Sequence, residues 1–312
     1  MGNSIEKVNR ALEAINKVIL GKEDAIKEIM VTLISGGNVL LEDIPGVGKT
    51  TIALAFAKVL GLDYKRIQFT PDVMPSDLTG FSMYRRDINK FTFQQGSLFC
   101  NLVLADEINR TSPKTQSALL EAMEEHKVTV DGNTYELPKP FIVIATQNTV
   151  GEVGTQPLPS TQTDRFMSSL SIGYPDFDSE IMMAKTISID GRTSNLENQI
   201  NKEESIEIQR EIYNIYIDDK IYKYIVNLIR ATREDDYIQR GASPRAVISL
   251  VQLCKSRAWL DNREYVVPAD VVEQFKYVVK HRIILSTNAK LNNTTKDSVI
   301  DNILKSVEKP RI

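Results

Sequence analysis

Residues 38–61, NVLLEDIPGVGKTTIALAFAKVLG, constrain the fold of this chain more than any other stretch. They read as a short apolar strand at 39–41, a Pro/Gly turn and a helix opening at Lys49. Gly46 and Gly48 put no Cβ between the backbone and an approaching anion. The amides of such a turn, together with the N-terminus of the next helix, present partial positive charge to phosphate. The pattern assigns Pro45, Gly46, Val47, Gly48, Lys49, Thr50 and Thr51 to a phosphate cradle. Lys49 is expected to reach the β- and γ-phosphates of a nucleotide, and the Thr50 hydroxyl to sit on Mg²⁺. The strict form of the pattern carries glycine six residues before the lysine, and Asp43 stands there instead.

A chain of 312 residues suits one large domain or two ordinary ones and can bury a substantial core. It is 42% hydrophobic and 25% charged, which are globular values. A net charge of -3 gives no electrostatic case for nucleic acid or an anionic membrane. Cys100 and Cys254, with His126 and His281, show no zinc-ligand spacing, and two cysteines make no disulfide framework. They read as incidental thiols in a reducing compartment. No apolar run approaches the ~18 residues of a membrane span. The first ten residues lack a signal-peptide core, and Glu6 occupies the Ser/Thr position of a myristoylation signal. A cytoplasmic protein without a membrane anchor is expected.

Along the chain, Ile5, Val8, Leu12, Ile15 and Val18 form a helical stripe. VILGKEDAI (18–26) then turns into a second helix, and the backbone near Ile19 and Gly21 is a candidate reader of an adenine edge. RIQFT (66–70), CNLVLADEINR (100–110), FIVIATQN (141–148) and MSSLSIGYP (167–175) read as strands. FSMYRRDINKFTFQQGSLF (81–99) alternates around a polar turn, and VTVDGNTYEL turns at Asp131-Gly132, so both read as β-hairpins. Apolar strands alternating with helices predict a parallel sheet covered on both faces. After Pro175 the strand signals vanish and helical stripes follow. Residues 190–204 read as a linker, and the polar C-terminus reads as frayed.

Asp106-Glu107 closes an apolar strand downstream of the phosphate loop. In that context Asp106 is expected to hold the Mg²⁺ shell, and Glu107 to orient and deprotonate the attacking water. Asn148, ending a neighbouring strand, is a candidate sensor of the γ-phosphate. A γ-phosphate in transfer spreads negative charge over three oxygens, which a guanidinium can pair. Arg165 in TDRF, placed to face a neighbouring subunit, and Arg245 in GASPRA, on a helix of the C-terminal part expected to fold over and bind the nucleotide, are the candidates, with Arg110 as an alternative intersubunit arginine.

The ordered set DIPGVGKT, LVLADEINR, ATQN, TDRF and GASPRA, supported by VILGKEDAI, SALLEAMEE and VTVDG, resembles the MoxR family of AAA+ ATPases. The resemblance covers residues 18–285 and extends to Asp43, because members carry an acid or glycine at that position. It implies a P-loop core with a parallel sheet, flanking helices and two inserted β-hairpins (residues 1–175), followed by an all-helical lid (176–312). It implies Asn148 as sensor 1, Arg165 as arginine finger and Arg245 as sensor 2. ATP and Mg²⁺ are the implied cofactors, with sites between subunits of a hexameric ring. The implied work is chaperone-like remodelling of a protein substrate, often beside a von Willebrand factor A-domain partner. Three departures are visible: Thr149 replaces the proline that usually follows the sensor asparagine, the loop GEVGTQPLPSTQ is more Ser/Thr-rich and less acidic than usual, and Asn38 replaces a common histidine. The expected function is Mg-dependent ATP hydrolysis in a ring-forming remodelling motor. The alternatives are a nucleotide-gated scaffold with little turnover and a motor of a nucleic-acid machine; the acidic balance argues against the latter.

Overall fold

The structure is a computed structural model that describes residues 1–44, 46–148, 158–185 and 193–311. Helices α1 (Gly2–Val18) and α2 (Glu23–Ile34) precede strand β1 (Val39–Asp43), and helix α3 (Lys49–Val59) leads to β2 (Tyr64–Gln68). A short helix α4 (Pro75–Thr79) opens the first hairpin, β3 (Gly80–Arg85) with β4 (Lys90–Gln95). Strand β5 (Leu102–Asp106) is followed by a 3-10 turn, Ile108–Arg110, and by α5 (Pro113–Glu125). Next come the second hairpin, β6 (Lys127–Val130) with β7 (Asn133–Glu136), strand β8 (Ile142–Asn148), helix α6 (Ser160–Thr163) and β9 (Ser168–Leu170).

The central sheet runs β2-β5-β8-β1-β9, and every pairing is parallel. Successive residues of β1 point to opposite faces, yet Leu40 and Leu41 are both fully buried. Leu41 joins Ile52 and Phe56 of α3 under α1 and α2, while Leu40 joins Val103, Val143 and Leu119 of α5. Burial on both faces is why these strands are unbroken apolar runs rather than alternating ones. Asn38 fixes one end of β1 by accepting the Val143 backbone N–H at 2.8 Å.

The remaining helices are α7 (Phe177–Lys185), α8 (Lys202–Tyr213), α9 (Asp219–Glu234), α10 (Pro244–Leu260), α11 (Pro268–Val279), α12 (Thr287–Leu291) and α13 (Lys296–Ser306). Ile208, Ile225, Leu250 and Trp259 extend the α1–α2–α3 core without a break. Three expectations are amended here. The helical part also carries a two-stranded antiparallel ladder, β10 (Ile238–Arg240) with β11 (Ile284–Leu285). The C-terminus does not fray, because Val299, Ile300 and Ile303 bury one face of α13. The described part of the linker is tied down, with Gln199 and Ile200 donating their N–H groups to the Val59 carbonyl. Cys100 and Cys254 are buried and unbonded to each other, and burial pushes the Cys100 thiol up to about 11. No described helix is long and apolar enough to cross a membrane.

Candidate functional site

Parallel strands deliver their C-terminal ends to one edge of the sheet, where ligands of open α/β sheets bind. Here that edge is a cleft of about 360 Å³ lined by Gly46, Gly48, Lys49, Thr50, Thr51, Arg66, Gln68, Asp106, Glu107 and Asn148. Gly46 and Gly48 take φ of +87° and +86°, and a Cβ on either would meet no atom within 4 Å. The inner face of the loop is therefore open at the size of a phosphate. The first turn of α3 has no side-chain cap, which leaves its leading N–H groups for an anion. Pro45 lies outside the described residues, and Val47 packs against the apolar core instead of lining the cleft.

Lys49 is buried and donates to Asn148 Oδ1 at 3.2 Å and to the Asp43 carbonyl at 3.3 Å. Asn148 in turn donates from Nδ2 to Glu107 Oε1 at 3.2 Å. Three expected site residues, one opening α3 and two at the ends of β5 and β8, are thus linked in one chain of contacts. Glu107 sits in the left-handed region (φ +56°, ψ +47°), uncommon for a residue with a side chain. The Thr146 hydroxyl holds it there, accepting the Glu107 N–H at 2.8 Å while donating to Asp106 Oδ1 at 2.7 Å.

Four further residues shape the acids, two of them, Arg66 and Gln68, outside every motif quoted above. Gln68 Nε2 donates to Glu107 Oε2 at 2.9 Å, and Arg110 reaches the same oxygen at 2.8 Å. Arg66 pairs with Asp106 at 2.8 Å, and Thr146 bridges the two acids. Arg66 and Gln68 lie on β2, a strand that reaches Asp106 only because β2 pairs with β5 in register, Gln68 opposite Asp106. Among the described residues no group of three or more Asp, Glu, His or Cys could cage a metal. A hydroxyl and a carboxylate beside an anion cradle fit Mg²⁺ held jointly with phosphate oxygens, which is how that ion usually binds.

Asp43 is buried, and its side chain explains the irregular motif. It accepts the N–H groups of Ile172 and Gly173, the latter at 3.1 Å, where the chain leaves β9.

Four expected residues lie away from this cleft. Ile19 packs against the core, and Gly21 lines a separate cavity of about 730 Å³ with Glu42, Ile172 and Lys280. A Cβ on Gly21 would stand 2.4 Å from Ser179 Oγ and 2.6 Å from Asp176. Arg165 and Arg245 meet at Glu124 near the end of α5, Arg165 at 3.1 Å and Arg245 closer still. Neither lines the cleft of its own chain. The junction behind them is partly buried: Ser243, the N-cap of α10, donates to Asp164 at 2.8 Å, and the buried Arg282 pairs with Asp164 at 2.8 Å. Arg282 also donates to the carbonyls of Phe166 and Val278. Burial draws its guanidinium down to about 10, so it is still charged at neutral pH.

Two family models match this chain. The ATPase family associated with various cellular activities matches residues 38–168, and the AAA lid domain matches residues 230–303. Chaperone MoxR1 of Mycobacterium tuberculosis is 35% identical over 99% of the chain and 84% of its own length. Protein MoxR of Methylorubrum extorquens is 28% identical over 87% and 85%. A crystal structure from Cytophaga hutchinsonii, of a protein that carries an ATPase assignment, superposes with a TM-score of 0.90 at 37% identity over 99% of this chain and 96% of that one.

Proposed function

The chain belongs to the MoxR family of AAA+ ATPases, and on that premise we propose that it hydrolyses ATP with Mg²⁺ in an oligomeric ring and uses the cycle to remodel a partner protein. The observation that carries the ring is the separation of the site into two halves. Lys49, Asp106, Glu107 and Asn148 share one cleft, while Arg165 and Arg245 share Glu124 elsewhere. A cleft rich in acids and lacking these two guanidiniums is completed by a second copy presenting them.

The phosphate loop and the first turn of α3 bind the triphosphate, and Lys49 carries the positive charge to its outer phosphates. Bound through Thr50 and Asp106, Mg²⁺ would neutralise charge on the β- and γ-oxygens. Asn148, already linked to both Lys49 and Glu107, senses the γ-phosphate and orients the lytic water. Glu107 takes the proton of that water. Arg165 and Arg245 of the neighbouring copy stabilise the charge on the phosphoryl group in transfer. The core is assigned to residues 1–175 and the lid to 176–312. A hexamer, a von Willebrand factor A-domain partner and a cytoplasmic setting belong to the same reading. So does the contact of Ile19 and Gly21 with adenine.

Phosphate release per chain, followed as protein concentration rises, tests this reading. A rate that climbs and saturates is expected of sites completed by a neighbour. A rate flat from the lowest concentration, and insensitive to Arg165→Ala, would remove the shared site. One observation favours a second reading, a nucleotide-gated scaffold: Glu107 already carries hydrogen bonds from Gln68, Arg110 and Asn148. Glu107→Gln would then leave the low turnover unchanged, whereas in a motor it traps ATP.

A further inference from the structure

Arg66 belongs to no recognised motif, yet it makes the strongest contact to the acid that the metal needs. Its Nε and Nη2 both donate to Asp106 Oδ2, at 3.2 Å and 2.8 Å. The same Nη2 reaches Gln68 Oε1 at 2.7 Å. Asp106 Oδ1 is taken by the Thr146 hydroxyl at 2.7 Å. A carboxylate oxygen offers about two lone-pair directions, and two guanidinium N–H groups fill both on Oδ2. The Asp106 side chain is 10% exposed and fixed, whereas that of Arg66 is 47% exposed and faces the cleft. Of the two, only Arg66 can move aside at little cost.

We infer that Arg66 is a positioning residue that competes with Mg²⁺ for Asp106, and so sets the Mg²⁺ concentration at which the chain takes up nucleotide. This rests on the nucleotide-binding reading above. The guanidinium holds Asp106 in the orientation fixed from the other side by Thr146, so the carboxylate is presented to the metal's water shell without rearranging. Occupation of Oδ2 by that shell requires the guanidinium to leave it. The charge that leaves Asp106 has Gln68 Oε1 as its remaining acceptor on β2, which links metal uptake to the residue that also holds Glu107.

Competition has a signature that loss of structure does not share. Removing Arg66 should ease Mg²⁺ binding, because Asp106 has lost its rival. It should also weaken nucleotide binding in EDTA, because a positive charge beside the phosphates is gone. A structural defect would weaken both.

The test uses the full chain and a fluorescent, non-hydrolysable ATP analogue, titrated with Mg²⁺ and separately in EDTA. Arg66→Gln is expected to lower the Mg²⁺ midpoint roughly 2- to 5-fold, the scale of a half-exposed ion pair. It should also weaken binding of the analogue in EDTA. Arg66→Lys, which keeps the charge without the fork, should fall between. In an Asp106→Asn background, Arg66→Gln should no longer move the midpoint. A midpoint unchanged or raised by Arg66→Gln, or a shift that persists with Asp106→Asn, overturns the inference while leaving the ATPase reading standing. A parent chain that fails to bind the analogue at any Mg²⁺ concentration removes both.

Discussion

Arg165 and Arg245 hold opposite oxygens of a single carboxylate, Glu124, so two arginines from distant parts of the sequence act as one cationic pair. They sit at the two sides of a partly buried junction in which Ser243 and Arg282 both bind Asp164. The pair is thereby held between α10 and the turn before β9.

Complementation between inactive variants should follow. Lys49→Ala lacks the phosphate lysine but retains the arginines, and Arg165→Ala has the reverse defect. Each alone should lose at least about 100-fold in turnover. Mixed in equal amounts, they should recover roughly a quarter of the parent rate, the fraction of interfaces in a random ring that carry both intact halves. Recovery no greater than the sum of the two separate rates would place the arginines in their own chain's site.

Glu107→Gln keeps the size of the side chain and one acceptor oxygen while removing the base. Turnover should fall by roughly 10²- to 10⁴-fold, the range of general-base catalysis, with ATP affinity maintained. Filter binding of labelled ATP beside a phosphate-release assay separates the two quantities. Lost affinity would mean that Glu107 serves the fold of the cleft.

Glu28 gives a pH dependence unrelated to catalysis. It is buried on α2 against Gln274 of α11, which donates to Oε2 at 3.0 Å, while Glu28 Oε1 and Gln274 Oε1 both lack a donor. A proton on Glu28 Oε1 turns that orphaned acceptor into a donor. Burial raises its pKa from 4.5 to about 7, with Glu273 adding to the rise and Gln274, Arg257 and Lys276 opposing it. The folded chain thus binds this proton more tightly than the unfolded one. The stabilisation is complete below about pH 4.5 and is lost as pH rises through about 7, in all about 3 kcal/mol. Glu28→Gln mimics the protonated acid. In urea melts from pH 5 to 8.5 its stability should show a flatter loss than the parent's, and equal slopes would refute the assignment.

Arg282 is 1% exposed in its side chain and pairs with Asp164. Arg282→Met leaves Asp164 with Ser243 but without its counter-charge, and losing one partner of this partly buried pair should cost about 1–3 kcal/mol. Asp164→Asn with Arg282→Met should recover part of the loss, and thermal melts of the three variants test it. Phosphate release should fall with the single change even at temperatures where the chain is folded, because the arginine pair loses its footing.

The phosphate loop, the acids at the end of β5 and both hairpins were legible because each rests on local chemistry: glycine in the left-handed region, apolar runs, an Asp-Gly turn. Arg66, Gln68 and Thr146 were not. An arginine, a glutamine and a threonine within strands are unremarkable until β2 is known to lie beside β5, and β5 beside β8, a fact of strand order that periodicity does not carry. Glu124 was hidden for the same reason, standing among several acids at the end of α5. The strands β10 and β11, three and two residues long, are too short to register a period. The stripe at Val299, Ile300 and Ile303 was visible in the sequence but was outweighed by the polar residues around it.

Asp43 gives the root of the phosphate loop a tether at the point where the chain leaves the sheet toward α7. With glycine there, as the strict motif has it, strain at the loop would dissipate in the turn. With the carboxylate, the strand end whose carbonyl accepts from Lys49 is also hydrogen-bonded to Ile172 and Gly173, so the phosphate loop and the exit from the sheet share one anchor.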